Sequence, residues 1–176
     1  MSYYLSYWDV VKTIFMPDPE LNFLYLVFVI VFLFLINKMG WRQARWHILL
    51  MNTIIVIVLL GLALINKGAG WTLHDNKLEI KATSISESID LTKSTVILVE
   101  ADSWWKPVTR LHGFNSTGLY TGKFKLRNKQ EAMVFCHMPY KKMLLFQAEN
   151  YNVLLAYPGV EDLYTYILST REGINK

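Results

Sequence analysis

The chain has almost no cysteine. Cys136 is the sole one among 176 residues, so an internal disulfide is excluded, and a lone thiol in an apolar strand reads first as a small core residue and second as a reactive group. Charge of one sign is also scarce. Five Lys/Arg stand against three Asp/Glu before residue 71, and thirteen against eleven after it. That mild basic bias suits an anionic surface and is too small to indicate nucleic acid. Catalytic signatures are missing: the sequence has no Gly-rich phosphate loop, no nucleophile elbow and no His-Glu-x-x-His pattern. His47, His74, His112 and His137 are scattered without ligand spacing. Glu100, Asp102 and His112 are the one polar group that a strand end and a loop could bring together, and such loop residues commonly serve turns and solvation. No catalytic residue, cofactor site or metal site is therefore expected. A signal peptide is not expected either, because Asp9, Asp18 and Glu20 face Lys12 alone as a base and no short apolar core with a cleavage site follows.

Apolar sequence, by contrast, is abundant and unevenly spread. Leu21 to Ile36 reads LNFLYLVFVIVFLFLI, with Asn22 its one polar interruption. At helical rise this covers roughly 24 Å, close to a hydrocarbon thickness once flanking residues are added. Asp18, Pro19 and Glu20 form a good helix start. Ile48 to Ile65 is a second run, softened by Asn52, Thr53 and Gly61. Both are apolar on every face, and a following domain of about a hundred residues cannot enclose them. The sequence thus predicts a transmembrane helical hairpin over residues 18–66, with helices at about 21–37 and 47–66, in a bacterial cell membrane.

The turn between them carries Lys38, Arg42 and Arg45 beside Trp41 and Trp46. Trp41, Arg42, Arg45 and Trp46 are the expected membrane-interface anchors, and the positive-inside rule places this tip in the cytoplasm and the C-terminal domain outside it. Lys67, Lys77 and Lys81 count the other way. Residues 1–17 form an expected interfacial segment, in which Leu5, Trp8, Val11 and Phe15 recur at helical spacing, either lying on the membrane or packing against the rest of the chain.

From residue 67 to 176 the hydrophobic period changes to two. Leu78, Ile80 and Ala82 alternate with Lys77, Glu79 and Lys81, and Thr95 to Glu100 is a short apolar run. Ala101 to about Thr121 reads as a loop. GKFKLRN and EAMVFC then form a hairpin, and Met143–Gln147 with Tyr151–Ala156 another. The chain closes on a helix at about 160–171, where Leu163, Tyr166, Ile167 and Thr170 keep one face and Glu161 and Asp162 occupy the first turn. Six or seven short antiparallel strands capped by one helix make an α+β domain, a barrel or sandwich plugged at one end.

The stretch Trp105 to Phe135, WKPVTRLHGFNSTGLYTGKFKLRNKQEAMVF, resembles the bacterial pleckstrin-homology (PH)-like domain family. The likeness rests on Pro107, Arg110, Gly113, the step Gly118-Leu119-Tyr120-Thr121-Gly122, Phe124-Lys125-Leu126 and Asn128. It spans roughly Trp71 to Leu168 and implies a PH-like antiparallel β domain, for which a membrane hairpin in front is a common companion. It implies no catalytic residues and no agreed ligand. The family often places Gly after Asn128, where this chain has Lys129.

Two features are candidates for binding. Lys123, Lys125 and Arg127 alternate along one strand and share a face, while Gly122, Phe124 and Leu126 take the other. With Lys141 and Lys142 they could meet anionic head groups or an acidic partner. The competing reading is a solvated strand face that discourages edge pairing. Trp104 and Trp105 alternate direction, so one is expected to enter the core and the other to stand exposed, with core packing of both as the competing reading. The function expected from all this is a membrane-anchored, non-catalytic binding or scaffold module that recognises a protein partner or anionic lipid head groups. The alternatives are a small accessory subunit of a larger membrane complex assembled through the hairpin, and an enzyme acting on lipid or envelope material.

Overall fold

The computed structural model of the chain describes residues 1–15, 42–82, 85–116, 118–137, 139–148 and 151–174. Strand β1 (Ser2–Tyr4) and helix α1 (Tyr7–Phe15) open the chain, and helix α2 (Arg42–Asn66) precedes a long β region. That region runs β2 (Gly70–His74), β3 (Lys77–Lys81), β4 (Ser86–Asp90), β5 (Thr95–Glu100), β6 (Pro107–Ser116), β7 (Leu119–Leu126), β8 (Glu131–His137), β9 (Lys142–Ala148) and β10 (Tyr151–Ala156). Helix α3 (Val160–Ile174) closes it.

The strands form two sheets. Sheet A has the order β1-β2-β3-β4, antiparallel throughout, and sheet B the order β5-β9-β10-β8-β7-β6. Within sheet B, β10 runs parallel to β8 and antiparallel to β9. Strand β3 of sheet A alternates strictly: Leu78 and Ile80 are buried between exposed Lys77, Glu79 and Lys81. The central strands of sheet B do not alternate. Val134 to His137, Met143 to Phe146 and Val153 to Ala156 are each buried without interruption, the pattern of strands covered on both faces. One face, with Phe135, Leu144, Phe146, Val153 and Leu155, shares a core with sheet A and with Leu163 and Ile167 of α3. The other, with Val134, Met143, Leu145 and Leu154, forms a second core with Phe124 and Leu126, against which Val99, Trp105, Tyr120 and Tyr140 pack.

The N-terminal segment belongs to this structure. β1 pairs with β2, Leu5 N–H donates to Ala69 O and Gly68 N–H to Leu5 O, at 2.8 and 2.9 Å. Leu5 and Val10 lie in the shared core, while Trp8 on the opposite side of α1 is exposed. Helix α1 starts with a reciprocal cap. Ser6 N–H and Oγ–H donate to Asp9 Oδ2 at 3.0 and 2.6 Å, and Asp9 N–H donates back to Ser6 Oγ.

Several expectations are corrected here. Counted over the described residues, no helix is long and apolar enough to cross a membrane, and no N-terminal helical hairpin is present among them. The predicted hairpin, the integral-membrane placement and the inside–outside topology drawn from its tip are overturned together. The apolar run over α2 is not a free cylinder. Instead α2 carries Asn52 and Thr53 (whose hydroxyl donates to Leu49 O), ends on buried Asn66, and leads within four residues into β2. The first expected span, at 21–37, lies outside the described residues, as does Trp41. Arg42 and Arg45 stand in the first turns of α2, and Trp46 is exposed. The wholly antiparallel barrel or sandwich is corrected as well. The described residues form ten strands in two sheets, with one parallel pair among them, because the β9–β10 hairpin folds back so that β10 inserts beside β8.

Candidate binding surface

The expected loop from Ala101 to Thr121 is largely a strand. β6 pairs with β7 over its length, but the register shifts between Pro107 and Thr109 and again between Arg110 and His112. Two bulges and an internal Gly113 erase the two-residue period that would have revealed it. Gly113 and Gly122 face each other across the ribbon at φ 113 and 126. A Cβ on Gly122 would stand 2.3 Å from His112 O and 2.7 Å from Gly113 Cα. The two backbones therefore touch here, and the ribbon bends where no side chain intervenes.

Beyond that bend β7 alternates cleanly, with Lys123, Lys125 and Arg127 exposed and Phe124 and Leu126 in the second core. Register puts Thr109 opposite Lys125 and His112 opposite Lys123 on the basic face, and Arg110 opposite Phe124 on the other. The loop before β6 lies alongside the β7–β8 turn: Arg127 N–H donates to Lys106 O and Asn128 N–H to Trp104 O, both at 3.0 Å. Trp104 is 71 % exposed and Val108 62 %, whereas Trp105 is half-buried against the second core. Trp104, Lys106, Val108, Lys125 and Arg127 thus form one surface.

Its charges are partly matched. Lys123 pairs with Glu131 at 2.6 Å, and Asp102 takes both Lys106 at 3.0 Å and Arg127 at 2.9 Å. The Lys106 and Arg127 hydrogen bonds hold the Asp102 carboxyl below its usual range. The Lys125 ammonium has no ion pair or hydrogen bond among the described residues. Four cations face two carboxylates, and the surplus is centred on Lys125. Lys141 and Lys142 lie elsewhere, by the start of α3, where Lys142 pairs with Glu161 at 3.1 Å.

The other residues singled out in the sequence stand apart. Glu100 ends β5 opposite Lys142, Asp102 is engaged with Lys106 and Arg127, and His112 stands in β6 opposite Lys123. β5 and β6 are the two ends of sheet B's strand order. Cys136 is fully buried, which pushes its thiol up to about 12 against a hydrogen bond from Tyr140, so it is no thiolate near neutral pH.

A polar link that the sequence does not announce lies deep in the structure. The Thr13 hydroxyl donates to Asp9 O at 2.8 Å, so it accepts from His137 Nε2–H at 2.5 Å. This chain joins α1 to the end of β8, 124 residues away. Burial lowers the affinity of His137 for a second proton, opposed by the Asp9 carbonyl and carboxylate. No local signal marks such a pair.

No family model, curated protein or solved structure matches the chain.

Proposed function

We propose that the protein is a non-catalytic binding module that recognises an acidic segment of a protein partner on the surface built by the outer half of β7, the start of β6 and the loop carrying Trp104. The observation that carries this reading is Lys125: an exposed ammonium without a partner among the described residues, sharing a groove with Lys106, Arg127 and the 62 %-exposed Val108, beside the loop that carries the 71 %-exposed Trp104. Exposed aromatic and apolar groups beside surplus cations match a segment that alternates carboxylates with apolar side chains. Recognition runs through side chains. β6 is an edge strand, but Pro107 offers no N–H and the two bulges break the ladder that an added strand would need.

The test is titration of the full chain with a fluorescent peptide of alternating Glu and Leu. Saturable binding that weakens with salt and is abolished by Lys125→Glu, with Lys141→Glu unaffected, is the expected result. Equal binding by the wild type and Lys125→Glu would overturn the reading. So would a response to phosphatidylserine vesicles with none to the peptide, which would make the surface a lipid-contacting one.

A further inference from the structure

Away from this ribbon lies a cleft of about 310 Å³ between the β2–β3 turn, the β4–β5 turn and α3. Small-molecule pockets start at about this size. Its floor is apolar, made of Leu73, Leu91 and Ile167, with the Tyr166 ring at one side. Arg171 and Asp75 both line it.

The polar lining divides into donors and acceptors. Arg171 Nη2 donates to Leu91 O at 2.5 Å and to Ser94 O at 2.7 Å. Both its hydrogens are thereby committed, the guanidinium plane is fixed, and the three N–H groups on Nε and Nη1 have no partner among the described residues. The hydroxyls behave oppositely. Thr92 donates to Asp90 Oδ1 at 2.6 Å, Ser94 to Asp90 O at 3.0 Å and Thr170 to Tyr166 O at 2.9 Å. Each has its one proton engaged, so each can only accept from a ligand. Asp75 adds a carboxylate without an ion pair among the described residues. The cleft therefore offers a preorganised cationic fork, a set of acceptors with one negative charge, and an apolar floor.

We propose that this cleft binds a free α-amino acid with an apolar side chain, its carboxylate on Arg171, its ammonium toward Asp75 and the hydroxyl oxygens, and its side chain on Leu73, Leu91 and Ile167. A plain carboxylate would leave the acceptors unmet and face Asp75 as a like charge. A plain amine would leave the guanidinium edge unmet. A zwitterion satisfies both.

The experiment compares three probes on the full chain: leucine, 4-methylpentanoate, which lacks the ammonium, and leucinamide, which lacks the carboxylate. Saturable shifts of the Leu91 and Ile167 methyl resonances are followed by NMR. Leucine is expected to bind, with each of the other two about tenfold weaker or worse. Arg171→Gln should abolish leucine binding. Because Arg171 also ties the β4–β5 turn, Asp75→Asn is the deciding variant. Asn tolerates the φ of 50 at this exposed turn position, and the substitution should bring leucine down toward 4-methylpentanoate. No leucine shift, leucinamide binding as well as leucine, or leucine binding unchanged in Asp75→Asn would each overturn the proposal.

Discussion

The centre of sheet B and its rim belong to one hydrogen-bonded sheet and follow different physics. β8, β10 and β9 bury both faces, so each side chain there has a fixed volume to fill. β6 and the outer half of β7 bury one face or neither, and their outward side chains are held by charge pairing and turn geometry. Substitutions at the centre should therefore act on stability, and substitutions at the rim on binding. The sharpest contrast is volume. Phe135 is fully buried in β8, and Phe135→Ala should cost about 3–5 kcal/mol of folding free energy in a urea titration. Val108→Ala, at an exposed bulge, should stay within about 0.5 kcal/mol. Similar losses for both would mean that the rim is packed after all.

Gly122 lies where the two regimes meet, with the inner half of β7 on one side and the basic half on the other. A methyl group added there collides with His112 O on β6 and holds a residue at φ 126. Gly122→Ala should destabilise by about 1–3 kcal/mol. The loss should come with opening of the ribbon, read as faster amide exchange in β6 while β8 to β10 stay protected. Uniform exchange across sheet B would remove the distinction between centre and rim.

Acid acts on the centre at one point, where β8 ends on His137. Its folded-state proton affinity lies below the ordinary 6.5, chiefly through burial. The unfolded chain therefore takes up the proton more readily. The stability associated with neutral His137 is complete above 6.5 and is lost as pH falls through the lowered folded value. Asp9, held below 3.8 by the Ser6 hydrogen bonds, contributes only in more acidic solution, so the two windows separate. Urea midpoints on either side of pH 6.5 should fall toward acid in the wild type and flatten in His137→Asn. An unchanged slope in the variant would assign the effect elsewhere.

What could be read from the sequence follows the same division. Lys77 to Lys81 shows its two faces by alternation, and Lys123 to Arg127 does the same. The runs MVFC, MLLF and VLLA mark strands without saying that both faces are covered. The rim was opaque, because two bulges and Gly113 make β6 look like a loop. Helix α2 is misleading in the opposite way: its apolar composition reads as a demand for lipid, while its packing against α1 joins segments distant in sequence. The Thr13–His137 hydrogen bond, and the cleft that Asp75 and Arg171 both line, are created only by the folded topology, and no spacing in the chain announces them.

A gain rather than a loss belongs to the turn that leads from the rim back to the centre. Lys129 follows Asn128 between β7 and β8 with φ 69, a left-handed conformation that costs an ordinary residue about 1–2 kcal/mol. Its neighbours hold it there: Lys129 N–H donates to Leu126 O at 2.9 Å, and Gln130 N–H to Asn128 Oδ1 at 3.0 Å. Lys129→Gly removes the steric cost and raises the entropy of the unfolded chain, two effects of opposite sign. The steric one is the larger, so a net gain of about 0.5–1 kcal/mol is expected in a urea titration. Because Lys129 lies outside the surface around Lys125, affinity for the acidic peptide should not change. A stabilised variant with unaltered binding would show that the turn is a structural element of the rim; a fall in affinity would extend the binding surface to Lys129.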